Sequence, residues 1–268
     1  MSVVHALTTA VLAGALLAPG VLLAQGRPEE GLRTGNAHLV VVTASPSEGL
    51  EVGIPRDSSY AKGIAFDLQG RWEQSYNAYR QARQEFQDML RDRPSWAKMV
   101  RGWTLKAEFQ MDQSQRLRYP IYYRWGPPSA SALYYRGAAK HNKWLAIRAF
   151  TGRAEKKLRD EVIEDYQKAL QQSPGYDSAR IALAAMYHEL GQHAKARQEV
   201  SRVQFQGRMW LAVEMAYYHA AGGEAERAIE LLEQAVRYNS GNKRYVLRSN
   251  DFDRLRSNPR FRSIVGEP

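Results

Sequence analysis

The chain contains no cysteine. That excludes disulfides, thiol catalysis, zinc–thiolate sites and the lipid-bearing cysteine of a lipoprotein anchor. Beyond residue 24, no stretch is apolar enough to cross a membrane. Catalytic signatures are missing as well: no HExxH, no Gly-x-Ser-x-Gly and no phosphate-binding glycine loop occurs. The histidines (His5, His38, His141, His188, His193 and His219) form no motif. His188 and His193 are five apart, which puts them off one helical face, and Gly222-Gly223 reads as a turn between helices. No catalytic residue, metal or cofactor is therefore expected. Acidic side chains are in deficit, 28 against 38 Lys and Arg, leaving a net charge of +10. A charge of that sign favours an acidic partner such as a protein, anionic lipid, glycan or nucleic acid. Nucleic acid is the weakest of these readings, because no recognised module pattern accompanies the charge.

What is present begins with an apolar stretch at residues 3–24, which includes the uncharged run VLAGALLAPGVLLA. Leu22-Leu23-Ala24 before Gln25 reads as a cleavage region, so residues 1–24 are expected to be a secretory signal peptide. Two details support the alternative, an uncleaved membrane anchor. The n-region offers only His5 in place of Lys or Arg, and the stretch approaches the length of a membrane span, although Pro19-Gly20 interrupts it. The expected location is periplasmic or exported, or else tethered to a membrane through residues 3–24. Residues 25–57 form a leader punctuated by Pro and Gly, with one β-like run, HLVVVT at 38–43.

Helical periodicity starts near Ser58. Its strongest feature is a spacing written twice. Ala184, Gly191, Ala196 and Val203 are followed 32 residues later by Ala216, Gly223, Ala228 and Ala235. Bulky positions repeat in step: Leu183 with Met215, Tyr187 with His219, Val200 with Leu232. The same template occurs 121 residues earlier at Gly63, Phe66, Gly70, Trp72, Ser75, Tyr79 and Ala82, and a partial copy ends at Tyr166, Ala169 and Pro174. Small residues at fixed steps let two helices of a hairpin cross closely while larger neighbours interlock as ridges in grooves. A Gly between them ends the first helix.

These residues resemble the tetratricopeptide repeat family, a helix–turn–helix unit of about 34 residues. The segment NDFDRLRSNPRF at 250–261 resembles the closing segment of many bacterial members of that family. The resemblance implies an all-α, tetratricopeptide-like helical-hairpin solenoid behind an irregular leader. Its parts would be a first repeat at 58–93, a divergent region at 94–176, two regular repeats at 177–240 and a cap at 241–268. The cap would bury Phe252, Leu255, Phe261 and Ile264 on a last helix, covering an end face that would otherwise meet water.

In the divergent region, residues 94–111 and 130–150 read as helices, with a break near Thr151-Gly152 and a further helix to Gln172. Between them SQRLRYPIYYRWGPPS cannot be regular helix. This loop is the leading candidate for binding. Arg116, Arg118 and Arg124 stand among Tyr119, Tyr122, Tyr123 and Trp125, residue types enriched both in binding hot spots and at membrane interfaces. Equally, those rings could fold back and fill a groove. Basic residues concentrate in two stretches. Residues 91–125 hold eight Lys or Arg against three acids, and residues 237–262 hold eight against two. Both read as surfaces for an acidic partner or anionic lipid, or as solvated helix faces.

The repeat architecture implies a concave surface lined by first-helix residues, among them Arg180, Met186, Tyr187, Glu214, Tyr217 and Tyr218. The expected function is that of a non-enzymatic interaction scaffold or adaptor binding another protein, acidic or membrane-bound. The alternatives are a membrane-anchored accessory subunit of a larger complex and a repeat domain with a catalytic activity its motifs do not reveal.

Overall fold

In the computed structural model, which describes residues 53–118 and 128–266, the periodic segments form eleven α-helices. They are α1 (Ser59–Leu68), α2 (Trp72–Asp92), α3 (Ala97–Arg118), α4 (Ala130–Thr151), α5 (Lys156–Gln172), α6 (Asp177–Glu189), α7 (His193–Val200), α8 (Ala212–Ala221), α9 (Ala225–Tyr238), α10 (Asn242–Arg248) and α11 (Pro259–Val265). Short 3-10 turns lie at Pro94–Trp96, Met209–Leu211 and Asn250–Leu255, and no strand occurs among the described residues. The signal-like segment, the β-like run at 38–43 and Tyr119, Tyr122, Tyr123, Arg124 and Trp125 lie outside the described residues.

Local chemistry fixes the helix ends. Ser129 opens α4 by accepting the Ala132 N–H at 3.2 Å, and Gly152 closes it in a left-handed conformation, φ +72°. Asn258 caps α11, with Pro259 in the first turn, where a missing N–H costs nothing. Gly70, Gly191 and Gly223 follow α1, α6 and α8 with φ of +67°, +71° and +86°. A Cβ would be strained at each, which is why the repeating turn residue is glycine.

Packing is by hairpins: α1 with α2, α4 with α5, α6 with α7 and α8 with α9. The first helices of the hairpins also touch in succession, α1 with α4, α4 with α6, and α6 with α8, while α3 lies against α2 and α4. Helix α9 shows why the pattern folds this way. Its Ala228, Ile229, Leu232 and Ala235 recur every three or four residues and are all buried, while its charged residues face out. The small-residue lattice sits at the crossings, with Ala82, Ala184, Ala196, Ala216, Ala228 and Ala235 fully buried. Val203 departs from it. Helix α7 ends at Val200, so Val203 falls in the turn leading to Gly207 and is only partly buried.

The divergent region contains a hairpin with longer arms. In α1/α2 a Cβ on Gly63 would stand 2.6 Å from the Tyr79 ring, and in α4/α5 a Cβ on Gly137 would stand 2.8 Å from the Tyr166 ring. The contact is the same, but its partners are 16 residues apart in the first hairpin and 29 in the second. Tyr166 is buried and has His141 3.3 Å from its hydroxyl, so it cannot swing away. Gly137→Ala is expected to lower stability by about 1–3 kcal/mol through overpacking. Gly175→Ala, with nothing within 4 Å of its Cβ position, should stay within about 0.5 kcal/mol of the parent. Thermal unfolding of the two variants side by side checks this.

The C-terminal segment does not form one capping helix. Phe252 and Leu255 sit in the 3-10 turn, and Phe261 belongs to α11, with all three buried. Asn258-Pro259 between them interrupts helix and restarts it.

Candidate functional site

Helix α3 carries an unusual stripe. Trp103, Lys106, Ala107, Gln110, Gln113 and Ser114 recur at helical spacing and are all buried, although four of them are polar. Buried polar side chains need partners. Theirs come from two directions.

Beneath the stripe, Lys143 of α4 is fully buried and pairs with Asp67 of α1 at 3.1 Å. Its ammonium also donates to Gln110 O at 2.9 Å and Ser114 Oγ at 2.7 Å, and lies 4.4 Å from the centre of the Tyr79 ring. Asp67 accepts from the Tyr79 hydroxyl at 2.6 Å and from Ser75. Burial pushes Asp67 up and Lys143 down to about 8, against their mutual attraction. Two residues before Lys143, His141 lies between two hydroxyls, Tyr217 at 3.0 Å and Tyr166 at 3.3 Å. Burial, with Arg148 nearby, lowers its pKa to about 3.

Above the stripe lie residues 249–256, crossing α3, α4, the end of α6 and α8. Lys106, also fully buried, donates to both Asp253 carboxylate oxygens at 2.9 and 3.1 Å. Gln110 donates to Asn250 at 3.2 Å, and Ser249 donates to Asn142 of α4 at 3.4 Å. Arg256 bridges Asp253 at 2.7 Å, Leu247 O at 2.9 Å and Ser249 O at 3.0 Å. Arg254 reaches Glu189 of α6 at 2.7 Å and Ala221 O of α8 at 3.1 Å. The buried Phe252 ring meets Tyr217 edge-on, centroids 6.3 Å apart. Burial alone would raise both carboxyls. It takes Asp251 up to about 6, whereas Lys106 and Arg256 outweigh it and hold Asp253 below the usual carboxylate range.

The residues expected to bind fall into three groups. Arg116 and Arg118 are in the last turn of α3, which runs further than the sequence pattern predicts. Arg116 is exposed, and Arg118 pairs with Glu73 at 2.7 Å. The five loop residues are outside the described residues. Of those expected on an open first-helix face, Arg180, Met186, Tyr217 and Tyr218 are buried and Tyr187 is partly so. The reasons are local. Arg180 bonds Glu199 at 2.8 Å and Pro174 O, Tyr218 packs at a tilt against the His188 ring, and Tyr217 is covered by Phe252. Glu214 of α8 is partly buried, and burial raises its pKa against the hydrogen bonds from Tyr134 and Ser178. The two basic stretches meet at two ion pairs, while most of their Lys and Arg are exposed. Lys106 of the first meets Asp253 of the second, Arg248 of the second meets Asp112 of the first at 2.9 Å, and Arg260 pairs with Glu226 and Glu233. Arg237, Lys243 and Arg244 remain exposed near the last turns.

His188 and His193 also correct the one-helix argument. They belong to α6 and α7, and the turn at Gly191 brings their Nδ1 atoms to 2.7 Å. Among the described residues, no group of three or more His or acidic residues is arranged to hold a metal ion, and no helix is long and apolar enough to cross a membrane.

The hairpin geometry from α5 into α8 agrees with comparison to known families. Residues 155–217 match the tetratricopeptide repeat. That segment carries the repeat, and the described residues as a whole form an all-α stack of helical hairpins consistent with it. No curated protein and no solved structure matches it. The matched segment spans α5, α6, α7 and most of α8. The longer α4/α5 hairpin enters the match only through α5, and α3 stands outside it. Tetratricopeptide repeats are interaction modules, and that coarse function applies to this chain.

Proposed function

We propose that this protein is a non-enzymatic adaptor that docks another protein on the surface formed by α3 and the first helices of its hairpins. The observation that carries this reading is the buried polar stripe of α3. Lys106 and Gln110 hold a peptide segment by side-chain contacts directed at its carboxylate and amide groups. Recognition of a short segment by residues from several helices is the way such solenoids bind. The apolar residues 3–24 support placing the adaptor in an exported or periplasmic assembly, or tethering it to a membrane as an accessory subunit. The mass of the native N-terminus separates those two, since a chain starting at Gln25 rules out the tether.

A photo-crosslinking side chain placed at Arg116 or Tyr187, on α3 and α6, tests the surface against Gln198 on the exposed side of α7. Discrete adducts from the first two positions and none from the third are expected. Adducts from Gln198 alone would move the interface to the second helices and overturn the reading.

A further inference from the structure

The segment seated on α3 has the features of a ligand as well as of a cap. An end cap needs an apolar face, and Phe252 and Leu255 already supply one. Ser249, Asn250 and Asp251 are nevertheless buried beside them, and Asp253 is engaged by Lys106 and Arg256. Burying such groups contributes selectivity more than stability, because each gives up water to gain its partner. On release, Lys106 and Asp253 both regain hydration, which offsets part of the attraction lost.

The fit is also incomplete. Gln110 Oε1 is buried in the seat with no hydrogen-bond partner. An unmet buried donor or acceptor is a cost that a better-matched peptide would remove. The seat's chemistry specifies such a peptide. Lys106 reads a carboxylate, Gln110 an amide or other polar group, and Tyr217 an aromatic ring.

We propose that residues 249–256 are a ligand bound in cis, occupying the repeat groove until a partner peptide presenting an aromatic residue flanked by carboxylates displaces them. This rests on the reading of that surface as a peptide site and adds to it the partner's chemistry and a competition that regulates it. Because the competitor is tethered, its effective concentration is high, and free peptide must bind weakly until the cis contact is loosened.

The two ends of one ion pair therefore have opposite effects. A fluorescein-labelled peptide of residues 249–256 is titrated into the full chain by polarisation. Asp253→Asn, which weakens the cis competitor, is expected to tighten binding of the labelled peptide at least tenfold over the unaltered chain. Lys106→Met, which removes the reader, is expected to abolish that gain when combined with Asp253→Asn. A folded Asp253→Asn chain that binds no tighter than the parent overturns the proposal. Hydrogen exchange on the unaltered chain guards against a variant that fails to fold. The amides of residues 249–256 should exchange well before those of α6 and α8, and exchange only together with those helices would equally overturn the proposal. Should the peptide fail while Arg116 and Tyr187 still crosslink a partner, cis occupancy is wrong and the adaptor surface stands. Should both fail, the surface itself is wrong.

Discussion

Asp67→Ala is expected to cost about 3–5 kcal/mol, the price of stranding a buried charge. The carboxylate holds α1, α2 and α4 at one point, accepting from Tyr79 at 2.6 Å and from Ser75 and pairing with Lys143 at 3.1 Å. Without it, Lys143 keeps Gln110 O and Ser114 Oγ but has no counter-ion, and neither it nor Asp67 has any exposed surface through which water could compensate. Against a total stability of about 5–15 kcal/mol, that loss takes much of the folded population. Asp67→Asn should cost less, because an amide oxygen still accepts from the Tyr79 hydroxyl. The informative comparison is the double variant Asp67→Leu with Lys143→Met, which replaces the pair by apolar groups of similar bulk. It is expected to recover much of the stability lost in Asp67→Ala, since the charge is then no longer buried alone. Urea unfolding of the single and double variants measures this. A double variant less stable than Asp67→Ala would show that the polar network, rather than charge compensation, holds the four helices.

None of this network is visible in sequence periodicity. Asp67 stands near the end of α1, where a carboxylate reads as solvated, and Lys143 stands in α4 one residue before the core residue Trp144. Their meeting depends on α1 and α4 being neighbours across 76 residues of chain, which no local pattern encodes. The lattice of Ala184, Ala196, Ala216 and Ala228 was legible for the opposite reason. Hairpin crossings are local, so their spacing is written in the chain. The α4/α5 hairpin was half legible: its helices and the Gly152 break could be read, but the Gly137–Tyr166 contact was hidden by its longer arms.

The candidate site divides along the same line. The C-terminal motif could be read as a cap from Phe252, Leu255 and Phe261. Nothing in it says that Asp253 reaches Lys106, which lies 147 residues away. One signal was available on α3, where Lys106, Gln110 and Ser114 fall on the same stripe as Trp103 and Ala107. Polar residues within an apolar stripe are either buried functional contacts or errors in the helical register, and here they are contacts. The expectation of an open concave face failed at Tyr217 because that face is the seat of the chain's own C-terminal segment.

In acid, the fold is expected to lose about 4–5 kcal/mol through His141 alone, at roughly 1.4 kcal/mol per pH unit. The imidazole is fully enclosed, and burial followed by the charge of Arg148 lowers its pKa from 6.5 to about 3. The neutral ring suits its surroundings: one nitrogen donates and the other accepts, matching the hydroxyls of Tyr217 and Tyr166. Both tyrosines are themselves pushed well above their ordinary pKa, mainly by burial, and keep their protons. Because the folded pKa lies below the unfolded one, unfolding takes up a proton between them. The contribution is complete above about pH 6.5 and is lost progressively as pH falls toward 3. His141→Gln retains a donor and an acceptor but does not titrate, so its stability should decline less steeply over that window. The difference between the two chains isolates the histidine from the ion-paired carboxylates, which titrate in both. Chemical denaturation at half-unit pH steps from 7 to 3 supplies the curves. Parallel acid limbs for the parent and His141→Gln would mean that the imidazole is protonated in the fold and that the α4–α8 contact it anchors tolerates charge.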